Sequence, residues 1–268
     1  IAFYHSDLPR LVLNRFGETV SFGACKYLAH LYREFDTVLA PSRLMVHQLA
    51  DMGVTHALHQ PLGIDSDIFH PSRRRDSLRA ELGLPEATRL LVYAGRFTAD
   101  KKIEVLVEAV RRLGKPYHLL LVGGGAQLAR HAQLSFMPFK RDQRELAAVL
   151  ASCDVLVHPG DCETFGLIVL EAMACGVPVV GTSGGGVAEL VDDQTGILAR
   201  PNDAGSLAGA IEAIYERDLV RLSTNARRKA HEHYDWSRVF PQLMHRYGSL
   251  LAARPGTQRA LGRLCVPD

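Results

Sequence analysis

The 268-residue chain has no apolar run approaching 18 residues, so nothing in it reads as a membrane-spanning helix. It has little charge excess of either sign: 31 Lys and Arg stand against 29 Asp and Glu, a net +2. That balance gives no case for nucleic acid, or for an anionic membrane, as a partner of the whole protein. The five cysteines (Cys25, Cys153, Cys162, Cys175 and Cys265) are odd in number and scattered. They fit free thiols in a reducing, cytoplasmic compartment better than a disulfide framework. No Cys or His spacing implies a metal site, and there is no internal repeat or low-complexity segment. What remains is an ordinary globular composition, 47% hydrophobic and 22% charged.

Beyond residue 60, short apolar runs alternate with helical segments. Strands are predicted at 89–94, 117–122, 133–137, 153–158, 177–181 and 196–199. Helices are predicted at 102–114, 125–132, 142–152, 164–175 and 186–192. Strand–helix alternation with short loops predicts a parallel, doubly wound α/β sheet, and continuously apolar strands predict that both faces are covered. Ligands of such sheets bind beyond the carboxyl ends of the strands. Residues 1–60 hold less: strands at 2–4, 36–40 and 54–59 and helices around 19–34 and 42–52, about half of a second Rossmann-like domain. Residues 61–71, with Pro and Gly at their ends, read as a linker to a domain spanning 72–235. Helices follow at 203–217, 218–234 and 236–252, and a tail beyond Ala252 that looks loosely held. Because Ile1 falls inside a half-domain, roughly a hundred further residues are expected upstream.

The segment ETFGLIVLEA carries two glutamates eight residues apart. Glu163 closes a loop after the strand Val155–Val157, and Glu171 is read as two turns into a helix starting at Thr164. At about 1.5 Å per residue the carboxylates would lie roughly 12 Å apart, near the span of a sugar, a diphosphate and a ribose. Between them the N–H groups of Phe165, Gly166 and Leu167 form a helix start that attracts anions, and Gly166 would let a phosphate approach the backbone. The plain alternative is an acid at a helix start and a solvated helix residue. Arg96, after the strand LLVYAG, and Lys101, five residues later, are candidate phosphate cations, or else simply a surface Arg and a helix-start Lys.

The stretch ETFGLIVLEAMACGVPVV, with FYHSDLP, PLGIDSDIFHP, YAGRFTADKK and YDWSRVFPQL in the same order, resembles the retaining glycosyltransferases of family 4, which have the GT-B architecture. The resemblance covers nearly the whole chain. It implies a nucleotide-sugar-binding C-terminal domain, a partial N-terminal domain on the acceptor side, and a final helix from Trp236 that returns to the first domain. It assigns Glu163 to the donor hexose and Glu171 to the ribose hydroxyls. Arg96 and Lys101 would bind the diphosphate, and His5 would face the sugar from the first domain. Gly95, Gly123, Thr164, Phe165, Gly166 and Leu167 would line the donor. The implied reaction moves a hexose from a UDP-, GDP- or ADP-sugar to a saccharide or lipid-linked hydroxyl acceptor. No cofactor and no metal are implied, and peripheral contact with the inner face of the cell membrane is expected. The family often has Gly where this chain has Phe136-Met137-Pro138-Phe139, and Pro138 removes a backbone donor near the nucleobase.

Several features are set aside. Asp65-Ser66-Asp67 spells an aspartate pair like a metal motif but lies in the linker. Gly123-Gly124-Gly125 lacks the third glycine of a dinucleotide fingerprint, which is Leu128 here, and reads as a tight turn beside the nucleotide. Ser183–Gly186 is read as a place where backbone can approach the sugar or diphosphate. His158 and Asp161 are read as shaping the loop before Glu163. Two other readings stay open: a donor-binding module without catalysis, and a nicotinamide-dependent oxidoreductase on the same layered fold.

Overall fold

The computed structural model describes residues 1–253 apart from Gln127 and Arg130; Cys265 and the tail beyond 253 lie outside the described residues. The chain divides into two compact units, one formed by Ile1–Gly63 with the segment from Trp236, the other by Ile64–Asp235.

The first unit is a three-stranded parallel sheet in the order β1-β2-β3, from β1 (Ala2–Phe3), β2 (Val38–Ala40) and β3 (Ala57–His59). Its helices are α1 (Leu8–Phe16), α2 (Glu18–Arg33) and α3 (Arg43–Asp51). Helix α1 is absent from the sequence reading although its signals are present: the Asp7 side chain accepts from Arg10 N–H, Pro9 lies in the first turn, and Gly17 ends the helix. Tyr4, Ala29, Val38, Ala40, Met45 and Leu49 form this unit's core.

The second unit opens with segment 64–71, which is held firmly. Ser66 donates through its N–H and hydroxyl to the Asp235 carboxylate, and Arg227 Nη1 donates to the carbonyls of Ser66, Phe69 and Ala174 at 2.9 Å each. Asp65 Oδ1 accepts from the N–H groups of Asp67 and Ile68, closing a turn with its carboxylate. After the short helix α4 (Leu78–Glu81) come β4 (Arg89–Phe97), α5 (Ile103–Leu113), β5 (Tyr117–Gly125), β6 (Leu134–Met137), α6 (Gln143–Ala151) and β7 (Val155–Val157). Then follow α7 (Leu167–Ala174), β8 (Val179–Thr182), α8 (Val187–Leu190), β9 (Gly196–Ala199), α9 (Ala204–Tyr215) and α10 (Leu219–Tyr234). The last described helix, α11 (Trp236–Ala253), belongs to the first unit, where Arg246 donates to the Gln60 side chain and the His59 carbonyl.

Six parallel strands form one sheet in the order β6-β5-β4-β7-β8-β9. Leu91, Leu119, Leu121, Val155 and Val157 pack on one face with Leu106 and Val110 of α5 and Leu207 and Ile211 of α9. Their strand neighbours Leu90, Val92, Leu120 and Leu156 alternate to the other face and are equally buried. Two-sided burial explains why these strands read as unbroken apolar runs. The chain builds β5 and β6 on one side of β4, then returns to place β7 on the other. The crevice at the carboxyl ends of β4 and β7 is therefore the topological switch point.

No helix occurs at 125–132 among the described residues. Glycines 123–125 instead continue β5 in register with Gly95, Arg96 and Phe97. They form strand rather than a tight turn: a Cβ on Gly123 would fall 1.9 Å from the Gly95 carbonyl oxygen, and φ values of +143° and +142° at Gly123 and Gly125 favour glycine.

β4 and β7 are tied at their opposite ends. Arg79 Nη2 donates to both Asp154 oxygens at 2.6 and 2.7 Å, and Leu90 N–H donates to Asp154 Oδ2 at 2.7 Å. Replacing Asp154 by Ala strands a largely buried guanidinium and a backbone donor, so a loss of about 3 kcal/mol is expected in urea denaturation. A loss below about 1 kcal/mol would show that the pair behaves like an exposed one.

Candidate active site

Two of the predicted polar residues, Lys101 and Glu163, meet at the switch-point crevice. From the β4 side, the chain leaves through a 3-10 turn, Ala99–Lys101, that brings Lys101 Nζ within 2.6 Å of Glu163 Oε1. From the β7 side, His158 directly follows the strand, and its N–H donates to the Val180 carbonyl of β8. The His158 ring lies beneath the loop with Nε2 3.0 Å from the same Oε1. Lys101 and Glu163 are thus in direct contact, and His158, read from sequence only as a loop residue, completes the cluster.

Burial alone would raise the Glu163 carboxyl, but His158 and then Lys101 outweigh it and hold the group down at about 2. Glu163 is therefore ionised throughout the neutral range. Glu171 has the opposite environment. It lies in α7, a helix apolar on nearly every side because it packs against α6, α8 and α10. Burial pushes its carboxyl up to about 7, and no hydrogen bond to it occurs among the described residues.

The intervening backbone differs from the sequence reading. Helix α7 starts at Leu167, not Thr164, so Glu171 lies one turn in and the helical rise does not measure the spacing of the two carboxylates. The N–H groups of Phe165, Gly166 and Leu167 donate to no acceptor among the described residues, which leaves an electropositive helix start beside Glu163. Gly166 has φ +105°, and a Cβ there would meet Val187 and Leu190 of α8. It turns the chain there against a neighbouring helix. The Phe165 side chain is buried against Tyr234, with ring centroids 6.0 Å apart, so only its backbone remains on the crevice side. Thr164 and the exposed Leu167 flank it.

Ser183–Gly186 packs against the same loop. Gly186 N–H donates to the Glu163 carbonyl at 2.6 Å, and Cβ atoms on Gly185 or Gly186 would run into the backbone of residues 163–165. What these small residues admit is the Glu163 loop itself. Asp161 accepts from the Cys162 thiol and from Asn202 Nδ2, fixing the start of that loop.

Arg96 is exposed near the end of β4, opposite Gly124, and its carbonyl accepts from the Tyr93 hydroxyl. Its guanidinium has no partner among the described residues. Gly95 and Gly123 pair with each other across the two strands. Beside them is a cleft of about 440 Å³ lined by Phe97, Gly124, Leu128, Phe136 and Pro138. His5 belongs to the first unit, exposed just after β1, with its ring 6.4 Å from that of Phe3. Cys25, Cys153, Cys162 and Cys175 form no disulfide among the described residues. Among the described residues no three His, Cys, Asp or Glu side chains are grouped to hold a metal ion, and no helix is long and apolar enough to cross a membrane.

The two glutamates have opposite linkage to stability. Glu171 titrates at about 7 folded against an ordinary 4.5. Its stabilising contribution is complete below 4.5 and is lost as pH rises to about 7. Glu163 is depressed, so its contribution holds above 4.5 and is lost only as pH falls toward 2. Between about pH 5 and pH 8, the stability of the parent relative to Glu171→Gln should therefore fall by roughly 3 kcal/mol. Denaturation curves that run parallel across that window would refute the buried, unpaired carboxyl.

A family model, glycosyl transferases group 1, matches residues 74–233. A GDP-mannose-dependent alpha-(1-6)-phosphatidylinositol dimannoside mannosyltransferase of Mycobacterium tuberculosis is 30% identical over 252 residues, covering 91% of this chain and 64% of the relative. A sulfoquinovosyl transferase of Arabidopsis thaliana is 30% identical over 260 residues, covering 87% and 48%. This chain thus spans roughly half to two-thirds of these relatives' length. The structure of a sucrose-phosphate synthase from Thermosynechococcus elongatus superposes with a TM-score of 0.81 at 28% identity, covering 94% of this chain and 68% of that one. Anabaena HepE, crystallised with UDP and glucose, superposes at 0.78 with 22% identity, covering 92% and 71%, a likeness of fold. The chain belongs to the group 1 glycosyl transferases and has their Rossmann-like GT-B fold.

Proposed function

We propose that the whole protein is a retaining glycosyltransferase that moves a hexose from a nucleotide diphospho-sugar to a hydroxyl acceptor. The observation that carries this reading is the pairing of Lys101 with an ionised Glu163 at the switch point, beside the free N–H groups of residues 165–167. Breaking the glycosidic bond sends negative charge onto the diphosphate, and fixed donors stabilise that charge without reorganising. In this reading Arg96, Lys101 and the α7 backbone hold the diphosphate. Glu163 accepts a hexose hydroxyl, Glu171 accepts from the ribose diol, and His5 of the first unit faces the sugar. The acceptor attacks from the face the leaving group vacates, with the departing phosphate taking its proton. Neither a cofactor nor a metal is required by these roles.

The mycobacterial relative's dependence on GDP-mannose makes a GDP-linked hexose the first donor to try, with UDP- and ADP-sugars beside it. Its phosphatidylinositol dimannoside acceptor makes a lipid-linked saccharide the first acceptor, in glycolipid or cell-envelope synthesis at the inner face of the membrane. Transfer by the full-length protein from one of these donors is the expected result. Nucleoside diphosphate binding in calorimetry without any turnover would replace this reading by a donor-binding module.

The division of labour between the glutamates is open to steady-state kinetics. A ribose contact persists from ground state to transition state, so Glu171→Ala should raise KM for the donor and leave kcat nearly unchanged. The hexose changes shape and charge as the bond breaks, so Glu163→Ala should lower kcat at least about tenfold. The reverse pattern would require the donor to lie the other way round.

A further inference from the structure

We propose that His158 is a positioning residue for Glu163, aiming one carboxylate oxygen at the donor sugar. This rests on the reading of Glu163 as the hexose contact. His158 is only 2% exposed, and its Nε2 and Lys101 Nζ share Glu163 Oε1 at 3.0 and 2.6 Å. No hydrogen bond to Oε2 occurs among the described residues, so both donors fix the carboxylate by one oxygen and leave the other as its free acceptor. The ring is itself tightly placed. Its backbone N–H is locked to Val180, Tyr93 lies 6.3 Å away centroid to centroid, and a Cβ on Gly160 would meet its Cε1 at 3.0 Å.

His158 Nδ1 is buried with no hydrogen-bond partner. A proton there would be a buried donor with nothing to meet, which costs more than an idle lone pair. The ring therefore carries its proton on Nε2, where it donates to Glu163. Lysine and histidine are not interchangeable in this pair. Lys101 lies on a mobile stem and is also the cation that a diphosphate would recruit. His158 is rigid, out of reach of solvent, and remains on the carboxylate whatever Lys101 does.

The other titratable groups around Glu163 are Asp100, 3.9 Å from Lys101, and the Tyr93 hydroxyl, which burial and then the Glu163 and Asp100 charges hold above its ordinary value. Asp161 lies on the same loop, and the packed segment 183–186 brings no titratable group. Removing His158 takes one of the two hydrogen-bond donors off the ionised carboxylate, so Glu163 should protonate at higher pH.

The test uses the full-length protein with its nucleotide-sugar donor and two variants: His158→Phe, which keeps a ring without the donor, and His158→Gln, whose amide nitrogen can reach the Nε2 position. For His158→Phe, kcat should fall at least about tenfold with donor KM changed less than about threefold. The acid limb of its kcat/KM profile should move up by at least about one pH unit. His158→Gln should restore most of both. An unmoved acid limb, or a glutamine variant as poor as the phenylalanine one, would overturn the proposal, because a merely structural histidine changes stability without those signatures. Long-range ¹H–¹⁵N spectra judge the assignment apart from turnover. An Nε2-protonated His158 supports it even if no sugar is transferred and the glycosyltransferase reading fails, whereas an Nδ1-protonated ring overturns it.

Discussion

Glu163 is an ionised carboxylate at a largely buried place, and such a charge persists only where fixed partners offset its desolvation. One partner comes from each side of the crevice, Lys101 after β4 and His158 after β7. Each side is fastened in turn. The β4 exit is steadied by the Tyr93 hydroxyl on the Arg96 carbonyl, and the β7 exit by His158 N–H on β8. The carboxylate thus joins two strands at the point where sheet order reverses, and the start of α7 follows from where that junction sets the loop. Loss of either donor would leave a buried charge poorly matched and free the loop that carries the helix N–H groups.

The glycines around the site work by letting backbone meet backbone. Gly185 and Gly186 lie against residues 163–165, Gly123 against Gly95, and Gly184 against Asp161. A side chain at any of them would push apart two segments whose relative position defines the crevice. Glycine after a parallel strand thus marks close packing of the frame as readily as close approach of a ligand. Only geometry separates the two meanings, because both ask the same thing of the sequence.

Much of the second unit was legible because strands buried on both faces leave a simple signature: runs such as Leu90–Ala94 and Leu119–Val122 have no polar interruption. The Gly123–Gly125 run was misread because glycine signals a turn by default, whereas here it lets β5 continue beside β4. Helix α1 is missing from the sequence-based elements although Asp7, Pro9 and Gly17 mark its ends, since the motif FYHSDLP covers only its first two residues. In the site, residue types were legible and contacts were not. Lys101 and Glu163 are 62 residues apart, and only the placement of β7 next to β4 makes them neighbours. His158 is five residues from its partner, yet nothing in HPGDCE says that the loop folds back over the ring.

The contrast between the two glutamates follows from this geometry. Both are largely removed from water, and burial works against ionisation in each. Glu163 lies at a loop where the Lys101 ammonium and the His158 ring N–H can reach it, and its charge is fixed. Glu171 emerges from an apolar helix, and no hydrogen bond or ion pair to its carboxyl occurs among the described residues. An unpaired carboxyl near the middle of the physiological range is stabilised by any ligand that donates hydrogen bonds to its ionised form. A vicinal diol does this with two hydroxyls at once, so binding one there would be linked to release of a proton. The fold thus separates a permanently charged group at the switch-point crevice from a titrating group one helical turn inside α7. It does so with one residue type, by differing only in what each carboxyl can touch.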